Sequence, residues 1–493
     1  MEAVGHIRAG DYGPAVAAAV RQASEGAESA FLPVHLLYRV AIIAVYVVIL
    51  LTIVLNVEVN KKSPAFVMLC LAQVFNFAVI LLPIIFYKPS FGWFHPLVFY
   101  TCQYLLFQFR SFATYVQGIS RHRALPEYSN EDIVLLVAFA LTLHAISTLA
   151  YYFGFWFGPN LKVPRDHFRQ PRNLPVKAFI VVILSVVVFW LYVESNGGLE
   201  AHLLSWQEGR HEALAGEYYW IILIKFSALA SLLWFTLSRR SVYQPLFWVC
   251  ALVSILVNFL ATGSRGTIIS FFIIAMLVWM LREKKFAPTR ILMIGIMGVV
   301  LISFLGGFRA RIWKGDLSLT SETEEMSLTE YFEQGAVESA ERAWASSGLL
   351  PILAHVPDDV DLLYGSSYLA FFTIPVPRSL WPDKPGQIGG LVGETFFNSP
   401  SGTPPGPIGE AYWNFHIPGV IIVFFIFGTF HKWLVQSFVK YQHYPAAILV
   451  YLTVLFTLDP STPALIVCLM LVVPLIVLLR LTGALSFKAR SGQ

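Results

Sequence analysis

The chain has 493 residues, 57% of them hydrophobic and only 13% charged, with a mean hydropathy of +0.65. Soluble domains carry about 25% charged residues, so this composition excludes an ordinary soluble domain and points to an integral membrane protein. The net charge of +4 collects at short loops, which speaks of membrane topology and not of nucleic acid.

Residues 1–36 hold Arg8, Asp11, Arg21 and Glu25 ahead of the first apolar run, and they lack the pattern of a signal peptide. Their AVAAAVRQA portion reads either as an amphipathic helix on the membrane surface or as a solvated tail. A transmembrane helix needs roughly 20 apolar residues. Runs suited to this occur at about 37–57, 64–87, 93–113, 132–157, 176–194, 218–238, 246–262, 267–281, 290–308, 417–438, 446–459 and 462–482. The expectation is an all-α polytopic protein with about twelve spans, nine within 37–308 and three within 417–482. The eleventh run is short and stops at DPSTP, which breaks any helix continuing into the twelfth.

Lysine and arginine set the orientation. One family of loops carries Arg39, Lys88, Lys162, Arg165, Arg169, Arg172, Lys177, Arg239, Arg240, Arg282, Lys284, Lys285, Lys432, Lys440 and Arg480. The alternate loops carry few such residues. The bias predicts that both termini, including the tail 483–493, are cytoplasmic. Residues 309–416 then form one large extracytoplasmic region. Within it, 316–345 is acidic with a weak apolar stripe and predicts an amphipathic helix, while 346–376 is apolar in short, Pro-bounded pieces. Residues 377–416, PRSLWPDKPGQIGGLVGETFFNSPSGTPPGPIGEAYWNFH, are dense in Gly and Pro, which predicts an irregular backbone. Irregular backbone must face water or protein because hydrocarbon cannot satisfy its polar groups.

The groups able to carry chemistry gather in these extracytoplasmic loops. Arg265 sits in GSRG, a minimal turn between two spans whose glycines allow a nest of N–H groups beside a guanidinium. Arginine suits phosphate because its donors are spaced for bidentate contact. Anchoring at lipid headgroups is the alternative. Arg309, Arg311 and Lys314 follow the ninth run, where either an anionic ligand or snorkelling accounts for them. Arg378 and Lys384 lie with Asp383 on a loop stiffened by prolines, and Arg210 follows the NGG turn of the 195–216 loop.

Glu394 and Glu410 each follow a glycine, and Glu410 enters a short helix leading to the tenth run. Tyr412, Trp413 and Asn414 supply ring faces and hydrogen-bond groups, a mixture that suits a sugar. Membrane-interface anchoring is the competing role for those rings. His416 is placed to shuttle a proton or to act structurally. His144, in the middle of the fourth run, predicts a bond to a neighbouring helix.

Cys70, Cys102, Cys250 and Cys468 stand singly in apolar runs, which argues against a disulfide framework or structural zinc. No DxD motif occurs in the early extracytoplasmic loops, and the Asp358–Asp359 pair is a weak substitute. Neither a nucleotide-binding GxxxxGK[ST] nor a GxSxG elbow is present. The expected chemistry therefore uses no cofactor and no metal.

NGG at 196–198 with downstream Arg210, GSRG at 263–266, PRSLWPDKP at 377–385 and GEAYWNFHIPG at 409–419 together resemble the Wzy-type O-antigen polymerases, or oligosaccharide repeat-unit polymerases. The likeness is a pattern spread over residues 196–430. It implies a GT-C-like fold with one large extracytoplasmic loop in the bacterial inner membrane, its active site facing the periplasm. Donor and acceptor would be undecaprenyl-diphosphate-linked glycans, polymerised into O-antigen or a related surface polysaccharide, with a chain-length regulator as a further partner. The resemblance assigns diphosphate binding to Arg210, Arg265 and Arg378. Arg309, Arg311 and Lys384 extend that cationic set, and Arg265 and Arg378 stabilise the departing diphosphate. Glu410 removes the acceptor hydroxyl proton. Glu394, Tyr412, Trp413, Asn414 and His416 hold the sugar. An O-antigen ligase or another lipid-linked-sugar glycosyltransferase is the nearest alternative, and a lipid-linked glycan transporter the alternative from a different class.

Overall fold

The computed structural model describes residues 30–57, 59–105, 122–163, 166–205, 218–293, 295–296, 300, 348–373, 380–381, 386–399 and 402–487. Most helix starts are written locally, by proline in the first turn or by a hydroxyl cap. Ser63 accepts from Phe66 N–H ahead of helix Pro64–Ile80, and Ser129 forms a capping box with Asp132 ahead of helix Asn130–Phe157. Proline opens the helices Pro245–Thr262 and Pro445–Thr457, and Ser461 caps helix Thr462–Thr482.

The helices of seven residues or more with both ends described are α1 Leu36–Asn56, α2 Pro64–Ile80, α3 Asn130–Phe157, α4 Leu174–Ser195, α5 Gly198–Leu204, α6 Tyr218–Leu237, α7 Pro245–Thr262, α8 Arg265–Glu283, α9 Leu349–His355, α10 Ser366–Thr373, α11 Ile388–Phe397, α12 Gly406–Tyr441, α13 Pro445–Thr457 and α14 Thr462–Thr482. Further helical stretches lie at 96–105 and 288–293. Two three-residue strands, β1 Asp166–Phe168 and β2 Leu485–Phe487, pair antiparallel with Asp166 opposite Phe487.

Among the described residues seven helices are long and apolar enough to cross a bilayer: α1, α3, α4, α6, α7, α12 and α14. Helices α2 and α13 are apolar but shorter, and α8 occupies the expected eighth run. Much of the expected third and ninth spans, and the acidic helix expected at 316–345, lie outside the described residues. The outer faces of α1 and α4 expose Val47, Val48, Leu51 and Leu55, and Val187, Trp190 and Leu191. Such an apolar surface suits hydrocarbon, not water. The protein is therefore a helical bundle with membrane-spanning character.

Helices α3 and α12 meet most closely. A Cβ added at Gly154 would lie 1.9 Å from Phe425 O, and one at Gly428 would lie 2.0 Å from Tyr151 O. These small residues let the two backbones touch, the usual way in which helices associate without a hydrophobic drive between them. His144 is paired inside the bundle, as expected. Its Nδ1 lies 3.3 Å from Asn76 Oδ1, and its Nε2 lies 3.3 Å from Tyr100 Oη.

The backbone expected to be irregular across 377–416 is in fact helical over Ile388–Phe397. Gly389 and Gly393 lie buried there beside Ile388 and Val392, and the Gly389 carbonyl accepts from Thr403 N–H at 2.8 Å. The glycines cost helix propensity, and tertiary packing outweighs that cost.

Candidate functional site

Helix α12 is two helices joined across a break. Phe415 and His416 leave helical geometry, His416 with φ 57° and ψ −152°, and Pro418 follows. A histidine in that region is strained and needs its surroundings to hold it. The freed carbonyls are satisfied from the 363–364 loop: Leu363 N–H donates to Trp413 O at 3.0 Å, and Tyr364 N–H to Asn414 O at 3.1 Å. Gly419 makes the bend possible, because a Cβ there would lie 2.5 Å from Ala411 O. The expected short helix before the tenth span is thus present over 406–414, set off by the kink from the span that follows.

Glu410 sits on this short helix and is completely buried. Ser367 Oγ donates to its Oε1 at 2.8 Å, and Thr462 N–H donates to its Oε2 at 2.8 Å. Thr462 Oγ1 also donates to Oε1. Asn414 Nδ2 reaches Ser367 Oγ and the Glu410 carbonyl, both at 2.7 Å, while its Oδ1 accepts from Gly365 N–H at 2.9 Å. One carboxylate therefore ties α10, the short helix of α12 and the first turn of α14. The negative charge at the α14 N-terminus is favoured by the aligned N–H groups there.

The other expected sugar-site residues divide. Tyr412 and Trp413 are buried, with Trp413 Nε1 donating to Asp361 O at 3.1 Å and its ring against Phe396. Neither ring offers a stacking face; both support the Glu410 helix from behind. His416 Nε2 lies 2.7 Å from Tyr412 Oη, which bridges the helix break. Glu394 is exposed on α11. Asp359 pairs with His355 at 2.7 Å.

Of the expected cations, Arg265 opens α8 after the N-cap Ser264 and Gly263, which takes φ 58° to turn the chain. The GSRG turn is therefore as tight as expected. Arg210, Arg309, Arg311, Arg378 and Lys384 lie outside the described residues. The 195–216 loop starts beside this turn: Gly197 and Gly198 take positive φ, and the buried His202 bonds Leu260 O at 2.9 Å.

A cavity of about 390 Å³ lies among Ser270 of α8, Pro404 to Pro407, Glu410, Asp459 and Ser461. Its size falls in the range of small-molecule sites, roughly 300–1,000 Å³. A second cavity of about 1310 Å³ is almost wholly apolar and runs between α12, α13 and α14. It extends from Phe415, Tyr368 and Asp459 at one end to Tyr441, Arg480 and Leu485 at the other. Asp459 lines both cavities. The Tyr368 hydroxyl nearby is buried without a hydrogen-bond partner among the described residues.

Asp459 was not expected from the sequence, where DPSTP reads only as a helix breaker. Its Oδ1 accepts from Ser461 N–H at 3.0 Å and from Ser461 Oγ. Burial pushes its carboxyl above the ordinary range, and the Ser461 bonds oppose that in part. The one signal available was topological, since the loop order places DPSTP on the same side as GSRG and residues 377–416.

A family described as a domain of unknown function, DUF8712, matches residues 201–456, just over half of the chain. The match takes in GSRG and GEAYWNFH but stops short of Asp459. No curated protein and no solved structure matches the chain.

Proposed function

The chain belongs to the DUF8712 family, a domain of unknown function, and from that premise we propose that it is a membrane glycosyltransferase of the O-antigen polymerase type. It joins lipid-diphosphate-linked oligosaccharide repeat units at the extracytoplasmic end of a bundle of about twelve spans with a GT-C-like plan. Both termini are cytoplasmic, and the membrane is a bacterial inner membrane.

One observation carries the reading. A smaller cavity, lined by two carboxylates and by Ser270 of the helix that GSRG opens among mostly apolar groups, adjoins a long apolar cavity that follows α12 and α14. At 1.5 Å rise per residue the 21 residues of α14 extend about 31 Å, close to the roughly 30 Å of bilayer hydrocarbon. A substrate with a polar glycan head and a hydrocarbon tail longer than one leaflet matches that pair of cavities. The tail lies in the long apolar cavity and the reacting sugar in the smaller one, against its carboxylates.

Arg265 and the N–H groups at the start of α8 suit a diphosphate, because a helix N-terminus favours anions. Arg210, Arg309, Arg311, Arg378 and Lys384 are the further cations proposed for it. Glu410 holds the walls of the cavity together, with Tyr412, Trp413 and Asn414 supporting it. Glu394 and His416 are proposed for the outer sugar contacts.

The test is to incubate the purified protein in lipid nanodiscs with a synthetic lipid-diphosphate oligosaccharide. A ladder of products, each longer by one repeat unit, is expected. Transfer only to a lipid A-core acceptor would identify a ligase instead. Translocation without lengthening, measured in vesicles, would overturn the enzyme reading.

A further inference from the structure

We propose that Asp459, and not Glu410, is the general base that takes the proton from the acceptor hydroxyl. The inference rests on the glycosyltransferase reading above and deepens it.

A general base needs a free lone pair, a position at the reacting group and an ionised state. The two carboxylates of this cavity differ on the second requirement. Glu410 accepts at Oε1 from the Ser367 and Thr462 hydroxyls and at Oε2 from Thr462 N–H, which leaves Oε2 one lone pair. The side chain is fully buried, so an acceptor hydroxyl has no open approach to that oxygen. Asp459 spends Oδ1 on Ser461, while no donor among the described residues reaches Oδ2. It is half-buried and lines both cavities, so Oδ2 has space in front of it. Asp459 stands in a short link between α13 and α14, and Glu410 fixes the first turn of α14 through Thr462. Glu410 is thereby a positioning residue for Asp459.

The step balances. Asp459 Oδ2 accepts the acceptor hydroxyl proton while the hydroxyl oxygen attacks the anomeric carbon of the donor. A carbon–oxygen bond forms there, and the bond from that carbon to the diphosphate oxygen breaks. The electron pair leaves with the lipid diphosphate. Asp459 then releases its proton to water entering the smaller cavity.

The titratable groups facing Asp459 are Glu410 on α12, Tyr368 on α10 and Tyr100 on the 96–105 helix. With burial raising its carboxyl, the ionised base is lost as pH falls through a value above the ordinary aspartate range. The wild-type rate should therefore decline on the acid side from a higher pH than an exposed carboxylate would give.

The experiment compares wild type, Asp459→Asn and Asp459→Glu in nanodiscs. It measures single-turnover lengthening of a synthetic lipid-diphosphate oligosaccharide against pH, and binding of the same lipid by native mass spectrometry. Asp459→Asn should slow lengthening by about 10²–10⁴-fold with lipid binding within about twofold. Asp459→Glu should recover part of the rate with a displaced acid limb. A rate for Asp459→Asn within about threefold of wild type overturns the inference and leaves the glycosyltransferase reading standing. A parallel loss of lipid binding also overturns it, making Asp459 structural. If the asparagine variant does not fold, an unchanged acid limb in Asp459→Glu does the same. A wild type that lengthens nothing while folded removes the reading, and the inference with it.

Discussion

The two ends of the bundle solve the same electrostatic problem with opposite charges. At one end the backbone carbonyls of helix C-termini meet cations. Lys177 Nζ donates to Thr482 O at 2.8 Å, Arg282 Nη1 to Phe235 O at 2.9 Å and Lys432 Nζ to Gly158 O at 2.8 Å. Cations at helix C-termini complement the helix dipole, and here the bonds also staple neighbouring helices together. The strand pair of β1 with β2 closes the same end. At the other end helices α8, α12 and α14 begin, and the charges beside α14 are carboxylates. That end keeps a cavity lined by two carboxylates and leaves Asp459 Oδ2 without a donor among the described residues. The basic end is bonded for stability and orientation; the loop end carries groups left available for chemistry.

The largest effect should come from the helix crossing that joins the ends. A leucine at Gly428 would drive its Cβ to 2.0 Å from Tyr151 O, a backbone atom that cannot turn aside. Overpacking of this kind costs on the order of 3 kcal/mol or more, and Gly428→Leu should give no folded peak in size-exclusion chromatography. A normal profile would break the account of α3 against α12.

Next comes Glu410→Gln. Its amide must turn either an N–H group toward Thr462 N–H or lose the Oε1 donors, leaving a buried donor unpaired at a cost of about 1–3 kcal/mol. The thermal midpoint should fall clearly. At the basic end Lys177→Met removes one cation from the end of α14 and should cost only about 0.3–1 kcal/mol, with lengthening activity unchanged. Equal destabilisation by both would erase the contrast between the ends.

The smallest effect has the opposite sign. Asp459 has a folded-state pKa raised above its unfolded value. The folded protein therefore holds the proton more tightly, and its stability declines as pH rises from the ordinary carboxylate range through the raised value. Asp459→Asn removes that penalty. The variant should melt slightly higher than wild type at neutral pH, with no difference at acid pH, while losing turnover. Greater stability with less activity is the signature of a group kept for function.

Local signals account for what the sequence made legible. The span starts at Ser129, Pro245, Pro445 and Ser461, and the GSRG turn, depend on residues within one turn of the boundary. So does the short helix that carries Glu410. What escaped was non-local. Ser367 and Thr462 complete the Glu410 cluster from 43 and 52 residues away, and nothing in either segment marks them as its partners. Trp413 reads as a sugar-stacking ring until Asp361 and Phe396 close over it. Helix α11 was obscured by its glycines, which read locally as helix breakers. Asp459 was hidden because a proline-flanked aspartate between two apolar runs looks like punctuation.

The difference between the ends is tested most directly by a photoactivatable lipid-diphosphate oligosaccharide, with the reactive group on the sugar next to the diphosphate. After crosslinking to the wild-type protein in nanodiscs, labelled peptides are mapped by mass spectrometry. Labelling is predicted on residues 404–414 and 457–464, displaced by unlabelled substrate. Displaceable labelling confined to the basic end, around Lys177 and Arg480, would contradict the account.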